Sequence, residues 1–196
     1  MPEKDTDRRI TDLGTLKALA HPLRMKLYRL LALARTATAS QLAGQVDEAV
    51  SLVSYHLRKL AEHGLIEEAE AGSGDARERW WQPASKGLSV RSADFRDAPE
   101  KVAAHVAASR VFQEQRAEMY RTYLDQRAHW GTEWNAAVVD SESLLRLTAG
   151  ELADLQQDLL DVLRKYDAQG SAREAAGETE GREHVALHMY GFPFRV

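Results

Sequence analysis

Apolar residues recur at helical spacing along the first part of the chain. Leucines lie three residues apart within residues 11–20, and a second leucine-rich stretch covers residues 23–34. Spacings of three and four predict helices with one buried face. His21-Pro22 separates the two stretches, because a residue before proline is pushed out of the helical region and proline suits the first turn of a helix. We therefore predict two short helices here.

Two further helices, joined by a tight turn, are predicted over residues 38–64. Thr38 and Gln41 have the spacing of a capping box, in which each side chain bonds to the other residue's backbone amide. The second helix covers about residues 49–63, and Gly64 suits a left-handed helix end. A pair of short helices in this arrangement is typical of a helix-turn-helix with its recognition helix second.

The second of these helices is amphipathic. At about 100° per residue, Val53, Leu57 and Leu60 share one narrow face. Hydroxyl, aromatic and cationic side chains cover the other face, and these reach base edges and phosphates in protein–DNA complexes. The residues predicted to read or approach bases are Ser51, Ser54, Tyr55 and Arg58, and Lys59 on the same face is predicted to bind a phosphate. A solvated amphipathic helix without DNA contacts is the alternative. His56 lies at the edge of the buried face, so we expect a packed, hydrogen-bonded histidine rather than a base reader.

A β-hairpin follows directly, since the period changes to extended and a glycine-rich turn separates two strands within residues 65–83. A hairpin in this position is a wing. Arg77 and Arg79 lie two residues apart, so they project from one face of a strand and are predicted to contact the DNA backbone. Pairing with Glu68 and Glu70 across the hairpin is the alternative.

The chain resembles ArsR-type winged helix-turn-helix bacterial transcriptional regulators over about residues 12–90. The resemblance lies in the runs ALAHPLRMKLYRLLA, SQLA, SLVSYHLRKLAEHGLI and GDARERWWQP in this order, and above all in His21, Pro22, Arg24, Val53, Ser54, His56 and Leu57. It implies a dimeric repressor-like protein that reads a palindromic operator. The metal-sensing branch of the family keeps a cysteine motif in the recognition region. This chain has no cysteine, so we expect no thiol-based sensing of metal or arsenic.

A long helix is predicted over residues 99–133, because a proline and a capping aspartate mark its start. Its apolar face is too wide for one contact, so we expect it to pack on its own domain and on a second subunit. The predicted dimerisation residues are Phe112, Met119 and Tyr123. An ordinary intramolecular core helix is the alternative.

Residues 134–196 are predicted as a small α+β domain with an effector-binding or dimerisation role. Strands are expected over residues 134–147 and near the C-terminus, where apolar residues alternate. Thr148 and Glu151 have capping-box spacing and open an amphipathic helix between the strands. The aromatic side chains here are expected to form core and interface packing rather than a ligand pocket, and a small-molecule effector is left open.

These predictions give a mainly α protein with a small β component. Its parts are a flexible N-terminus (1–10), a winged helix-turn-helix domain (11–90), a linker (91–98), a long dimerisation helix (99–133) and the small α+β domain (134–196).

Charge and composition change this picture little. The net charge of −4 argues against a wholly basic surface, but residues 1–90 carry 13 Lys and Arg against 12 Asp and Glu, so a local DNA-binding face is permitted. The absent cysteines, the lack of a long apolar run and a charged N-terminus favour a cytoplasmic protein without disulfides or a membrane span.

No catalytic motif is present in the sequence, so we expect neither an enzyme nor a bound metal or cofactor. The predicted partners are double-stranded DNA and a second copy of the chain. A winged-helix protein-interaction module that does not bind DNA is the alternative function.

Overall fold

The computed structural model describes residues 7–70 and 78–195. It divides into two units, residues 1–126 and residues 127–196. The mainly α architecture with a small β component is confirmed. The wing arginine Arg77 lies outside the described residues, as does most of the predicted wing turn.

The first unit alternates short strands and helices before one long helix. Its elements are β1 (Arg8–Ile10), α1 (Leu13–Leu19), α2 (Pro22–Ala34), β2 (Ala37–Thr38), α3 (Ala39–Val46), α4 (Val50–Glu62), β3 (Ile66–Glu68), β4 (Trp80–Pro83), β5 (Leu88–Val90) and α5 (Pro99–Gln126), with a 3-10 turn at Ser92–Phe95. The four predicted N-terminal helices are confirmed. Pro22 occupies the first turn of α2, and Gly64 adopts a φ of 62° after α4.

The strands form two small sheets. In the first, β4 lies between β2 and β3 and is antiparallel to both, with Ala37 opposite Trp81 and Glu68 also opposite Trp81. In the second, β1 is parallel to β5, and Ile10 lies opposite Val90. The winged helix-turn-helix is therefore built on the three-stranded sheet, which ties the hairpin to the start of α3.

The core of the first unit lies between α1, α2, α3, α4 and the sheet. The predicted inner side chains Val53, Leu57 and Leu60 have no exposed surface. Further core members are Leu16, Leu19, Leu27, Leu31, Leu42, Leu65, Ile66 and Trp81. Because α4 is held on this core by one face, its opposite face is directed outward.

Two predictions for the segments flanking the winged helix are wrong. The N-terminus is not flexible throughout, since Ile10 is 1% exposed within β1. The linker predicted over residues 91–98 is not a plain connection, because Ser92–Phe95 form a 3-10 turn and the buried ring of Phe95 stacks on His105 at 5.5 Å. Both errors have one cause: β1 pairs with β5 and Phe95 packs on α5, and a local pattern does not reveal contacts between separate elements.

The long helix ends earlier than predicted. α5 stops at Gln126, a 3-10 turn follows over Arg127–His129, and α6 covers Gly131–Ala137. Gly131 has a φ of 71°, a left-handed conformation that glycine adopts without steric cost. This glycine interrupts the helical direction that the apolar pattern alone would have continued.

The second unit contains α6 and α7 (Ala149–Ala175). The capping box of Thr148 and Glu151 at the start of α7 is confirmed. The strands predicted over residues 134–147 and near the C-terminus are wrong, since residues 138–148 and 183–195 form neither helix nor strand. Alternating apolar residues make a strand only where a neighbouring strand bonds to the backbone, and no strand is formed within residues 127–195.

Candidate nucleic-acid interface

The helix before the recognition helix, α3, is fixed at both ends. At the start of α3, the Gln41 amide donates to the Thr38 hydroxyl at 3.3 Å, and the Thr38 amide donates to the Gln41 side chain at 2.9 Å. Asp47 then ends α3 in a left-handed conformation with a φ of 55°. This short turn leads directly into α4, so α3 and α4 form the predicted helix-turn-helix.

The outward face of α4 carries the predicted DNA-reading residues. Ser51, Tyr55 and Arg58 are exposed, and Ser54 and Lys59 are half-buried. Tyr55 is 47% exposed, which is unusual for an aromatic side chain in an otherwise closely packed unit. The structure therefore brings these five side chains to one side of the unit.

The two cations on this face differ in their surroundings. Lys59 Nζ lies 2.7 Å from Glu62 Oε2 and 5.9 Å from the centre of the Tyr55 ring. The hydrogen bond to Glu62 raises the pKa of the Lys59 ammonium. Arg58 forms no hydrogen bond or ion pair within the described parts of the chain, so its guanidinium is available to a ligand.

A cleft of about 280 Å³ runs between α4, the start of α3 and the wing. Hydroxyl and charged groups share it with a few apolar side chains, so it offers both hydrogen-bond donors and acceptors to a ligand. Its lining residues are Thr38, Ala39, Ser40, Val50, Ser54, Arg58, Glu78, Arg79 and Trp81. Of the predicted residues, Ser54, Arg58 and Arg79 meet here, whereas Ser51, Tyr55 and Lys59 lie outside the cleft.

The wing arginine Arg79 is paired across the hairpin. Its Nε lies 3.1 Å from Glu68 Oε1, and its guanidinium lies 5.6 Å from the Trp81 ring centre. The alternative interpretation of Arg79 is thus the contact that the structure contains. Because both partners are more than half exposed, such a pair contributes only about 0–1 kcal/mol. A phosphate could therefore replace Glu68 as the partner of Arg79 with little loss of free energy.

Sequence reasoning missed two polar residues of the cleft. The Ser40 hydroxyl donates to Glu78 Oε1 at 2.5 Å. This bond joins residues that are 38 positions apart, so neither a motif nor a periodicity could have indicated it. It places a carboxylate beside Arg58 and Arg79, where it would repel a phosphate and favour a base amino group.

The N-terminus of α4 offers a further polar feature. Its N-cap is Ala49, and no side chain caps its first turn. The first amides of a helix lack partners within the helix and carry partial positive charge. In this position they suit a phosphate oxygen next to Ser51.

Behind the recognition helix, the ring of His21 at the start of α2 packs at a tilt of 42° against the ring of His56 of α4. Their ring centres lie 4.5 Å apart, and neither Nδ1 atom has a hydrogen-bond partner among the described residues. His56 is 5% exposed, so its prediction as a packed residue is confirmed, although its Nδ1 atom has no hydrogen-bond partner among the described residues. Burial lowers the pKa of both imidazoles, and the neighbouring Arg24 lowers them further.

Arg24, the last residue of the His-Pro-x-Arg pattern, joins the start of α2 to the end of α1. Its guanidinium donates to the carbonyl oxygen of Ala18 at 2.5 Å and to that of Lys17 at 3.2 Å. These carbonyls end α1, so the arginine closes one helix from the first turns of the next. The pattern therefore fixes the α1–α2 corner against which α4 rests.

Of the predicted dimerisation residues, Phe112 and Tyr123 are half-buried, whereas Met119 on the same side of α5 is 39% exposed. Phe112 packs against the core of its own unit, and Met119 Sδ accepts a long hydrogen bond of 3.6 Å from Arg29. Tyr123 is half-buried and stacks on Tyr120 at 6.0 Å. At about 100° per residue, the inner face of α5 contains Ala104, Ala108, Phe112, Gln115 and Met119.

A second apolar stripe runs along the opposite side of α5. Its large side chains are between 40% and 45% exposed: Val102, Val106, Tyr120 and Leu124. α5 therefore carries two apolar stripes rather than the single wide apolar face that the sequence predicted, and the more exposed stripe is not the one that contains Phe112.

Within the described residues, no group of three or more His, Cys, Asp or Glu side chains is placed to hold a metal ion. Across the same residues, no helix has the length and apolar character that crossing a bilayer requires.

Comparison with known proteins bears mainly on the first unit. Residues 19–69 match the family described as "Helix-turn-helix domain". A search of curated proteins gives no match.

Several solved structures are similar in part. A "possible transcriptional regulator for arsenical resistance" is 23% identical, with 66% of this chain and 98% of that chain covered and a TM-score of 0.32. A transcriptional regulator homologue from Pyrococcus horikoshii OT3 is 18% identical, with 54% and 88% covered and a TM-score of 0.31. A double mutant of Lactococcus lactis ZitR is 16% identical, with 74% and 73% covered and a TM-score of 0.30. Likenesses this distant do not bear on what the chain binds.

The helix-turn-helix match covers α2, α3 and α4, and the structure adds the β3–β4 wing directly after them. The first unit therefore contains a winged helix-turn-helix domain.

Proposed function

We propose that the chain is a sequence-specific DNA-binding repressor that acts as a homodimer on a palindromic operator. The observation that carries the proposal is the outward face of α4, where Ser51, Tyr55 and Arg58 are exposed on a helix whose other face is fully buried. A rigid helix with such a face can enter the major groove and read base edges.

Roles follow from the surroundings of each side chain. Arg58 is the base reader, because its guanidinium has no hydrogen-bond or ion-pair partner among the described residues and can bond to both acceptors of a guanine. Ser54 and Tyr55 approach bases beside it. Lys59 and Arg79 bind phosphates by exchanging their exposed carboxylate partners, and Arg77 is proposed to do so from the wing.

Dimerisation is proposed to use the outer stripe of α5, defined above by Val102, Val106, Tyr120 and Leu124. Large exposed apolar side chains along about 33 Å of helix are a suitable self-complementary surface. A two-fold axis through this stripe would present two recognition helices to half-sites about 34 Å apart, one turn of duplex.

The test begins with selection of bound fragments from genomic DNA, followed by titration of the best duplex at several salt concentrations. We expect the affinity to fall steeply with salt, because each neutralised phosphate releases counterions. Arg58→Ala should weaken specific binding by about 1–3 kcal/mol. The matched control is Arg110→Ala, which removes an exposed arginine of α5 and should leave the affinity for the duplex unchanged.

Sedimentation of the full chain tests the assembly. Val106→Glu should shift the dimer toward monomer, because it places a charge in an apolar contact. Ala107→Glu, one residue further and outside the stripe, should not. Phe112→Glu is unsuitable here, since Phe112 also packs on its own core.

A protein-interaction module without DNA binding is the second candidate. Glu78 in the cleft and the pairing of Lys59 and Arg79 with carboxylates favour it, since they lower the positive charge that DNA would meet. A selection that yields no preferred duplex, together with a flat salt response, would support this candidate and contradict DNA recognition.

A further inference from the structure

The second unit leaves its apolar side chains uncovered. None of the residues described between 127 and 195 is buried. Along α7, Leu159 is 41% exposed, Val162 is 52% exposed and Tyr166 is 65% exposed. A segment of this length without a buried core is not stable as a separate folded body, so another surface must cover these side chains.

The uncovered side chains of α7 follow a regular repeat. Leu152, Leu155, Leu159, Val162 and Tyr166 are separated by three, four, three and four residues. This is the heptad spacing of a coiled coil, in which such positions form the seam between two helices. The pattern spans two heptads and indicates that the partner is itself a helix.

The C-terminal segment of the same unit, residues 183–195, covers only one side of the row of apolar residues from Leu152 to Tyr166. A Cβ atom added to Gly191 would lie 3.1 Å from Leu152 Cδ1, so the chain passes close to the first turn of α7 at that side. Leu160 and Leu163 on this flank are half-buried, whereas Leu159 and Val162 stay open. The segment therefore does not supply the missing helix.

We propose that α7 pairs antiparallel with α7 of a second copy of this chain. Antiparallel coils alternate the two seam positions, so Leu155 would lie against Tyr166 of the partner subunit and Leu159 against Val162 of the partner subunit. This register covers the three most exposed seam residues at once.

Charge favours the antiparallel direction. In this register Asp158 flanks the seam opposite Lys165 of the partner subunit, and the two-fold axis forms this pair twice. The first half of α7 carries four carboxylates and no cation: Glu151, Asp154, Asp158 and Asp161. A parallel pair would align these carboxylates with each other and place Asp158 beside an apolar Leu163 of the partner subunit.

Disulfide trapping in the full chain tests the register. The protein has no cysteine, so each variant has a single thiol. Leu155→Cys co-expressed with Tyr166→Cys should form a mixed interchain disulfide under mild oxidation, because their Cα atoms would lie within disulfide range. The matched control is Gln157→Cys with Arg164→Cys, which has the same height along the pair but faces outward. We expect at least tenfold less cross-linking from the control.

The other outcomes are equally distinct. Efficient cross-linking of Leu155→Cys with itself would indicate parallel pairing and overturn the proposal, since about 16 Å would separate the two residues in the antiparallel register. Equal, low cross-linking in all mixtures would show that something other than α7 covers the seam. Circular dichroism of each variant separates a failed contact from a failed fold.

Charge reversal gives a second, independent measurement. Asp158→Lys would place two ammonium groups opposite each other, because position 158 faces Lys165 of the partner subunit, and should weaken self-association several-fold. Asp158→Lys combined with Lys165→Asp should restore self-association. No recovery in the double variant would contradict this register. DNA binding is not measured in either experiment, so a failure of this pairing is distinguishable from a failure of the proposed regulator function.

Discussion

The two units use similar amino acids in different ways. Both have apolar side chains at about the density of the whole chain, 44%. In the first unit, residues from α1, α2, α3 and α4 meet in one core, and Leu57 has no exposed surface. In the second, Val162 is 52% exposed on α7, where apolar residues also recur at helical spacing. Hydrophobic patterning thus produces helices in both units, but only long-range partners turn a patterned face into a core.

The largest expected difference between the two units is in the stability lost when one apolar side chain is truncated to alanine. Leu57→Ala should lower the free energy of unfolding of the first unit by about 2–5 kcal/mol, because it leaves a cavity in a filled core. Val162→Ala should change it by less than about 0.5 kcal/mol, since the side chain is exposed. Urea unfolding at low protein concentration, where self-association is absent, measures both. Equal costs would contradict the contrast between the two units.

The two capping boxes give a matched, smaller comparison. Thr38 at the start of α3 is 1% exposed, whereas Thr148 at the start of α7 is exposed. Thr38→Ala should lower the global free energy of unfolding by about 1–2 kcal/mol. Thr148→Ala should reduce only the helicity and hydrogen-exchange protection of α7.

Serine at each position is the control, because it keeps the capping hydroxyl. If Thr148→Ala lowered global stability as much as Thr38→Ala, then α7 would unfold together with the first unit, and the contrast would be wrong.

The smallest expected effect is the change in the stability of the first unit with pH. Burial lowers the pKa of His21 and His56 in the folded first unit, and Arg24 lowers both further, while Glu48 partly opposes this at His56. The unfolded chain therefore binds more protons than the folded chain below about pH 6.5, the unperturbed histidine value. Stability is fully present above that pH and decreases as the pH falls below it.

Urea midpoints at pH 7.5, 6.5 and 5.5 check this expectation. His56→Gln should remove part of the decrease, and His184→Gln in the exposed C-terminal segment should not alter it. An unchanged midpoint across this range would show that protonation of these two imidazoles does not lower the free energy of unfolding.

Much of the first unit could be predicted from sequence because its signals are local. The capping box of Thr38, the helix start at Pro22 and the left-handed Gly64 each act within one turn of helix. The outward position of Arg58 followed from the 100° period once Val53 and Leu57 were recognised as the inner face.

Other features depended on residues far apart in sequence. Three contacts join separate elements: the pairing of Ile10 with Val90, the Ser40–Glu78 hydrogen bond in the cleft and the ring contact of His21 with His56. The strands expected in the second unit failed for the same reason, since an alternating pattern specifies a strand only when another strand lies beside it.

By itself, then, the sequence determined where the helices of the winged helix-turn-helix begin and end and which face of α4 is directed outward. Tertiary structure decided which apolar faces are buried: Phe112 packs on its own core, whereas Val106 on the same helix remains exposed. Helical periodicity is a property of a few consecutive residues. Burial depends on which distant surfaces meet, because hydrophobic free energy is gained only when apolar area is removed from water.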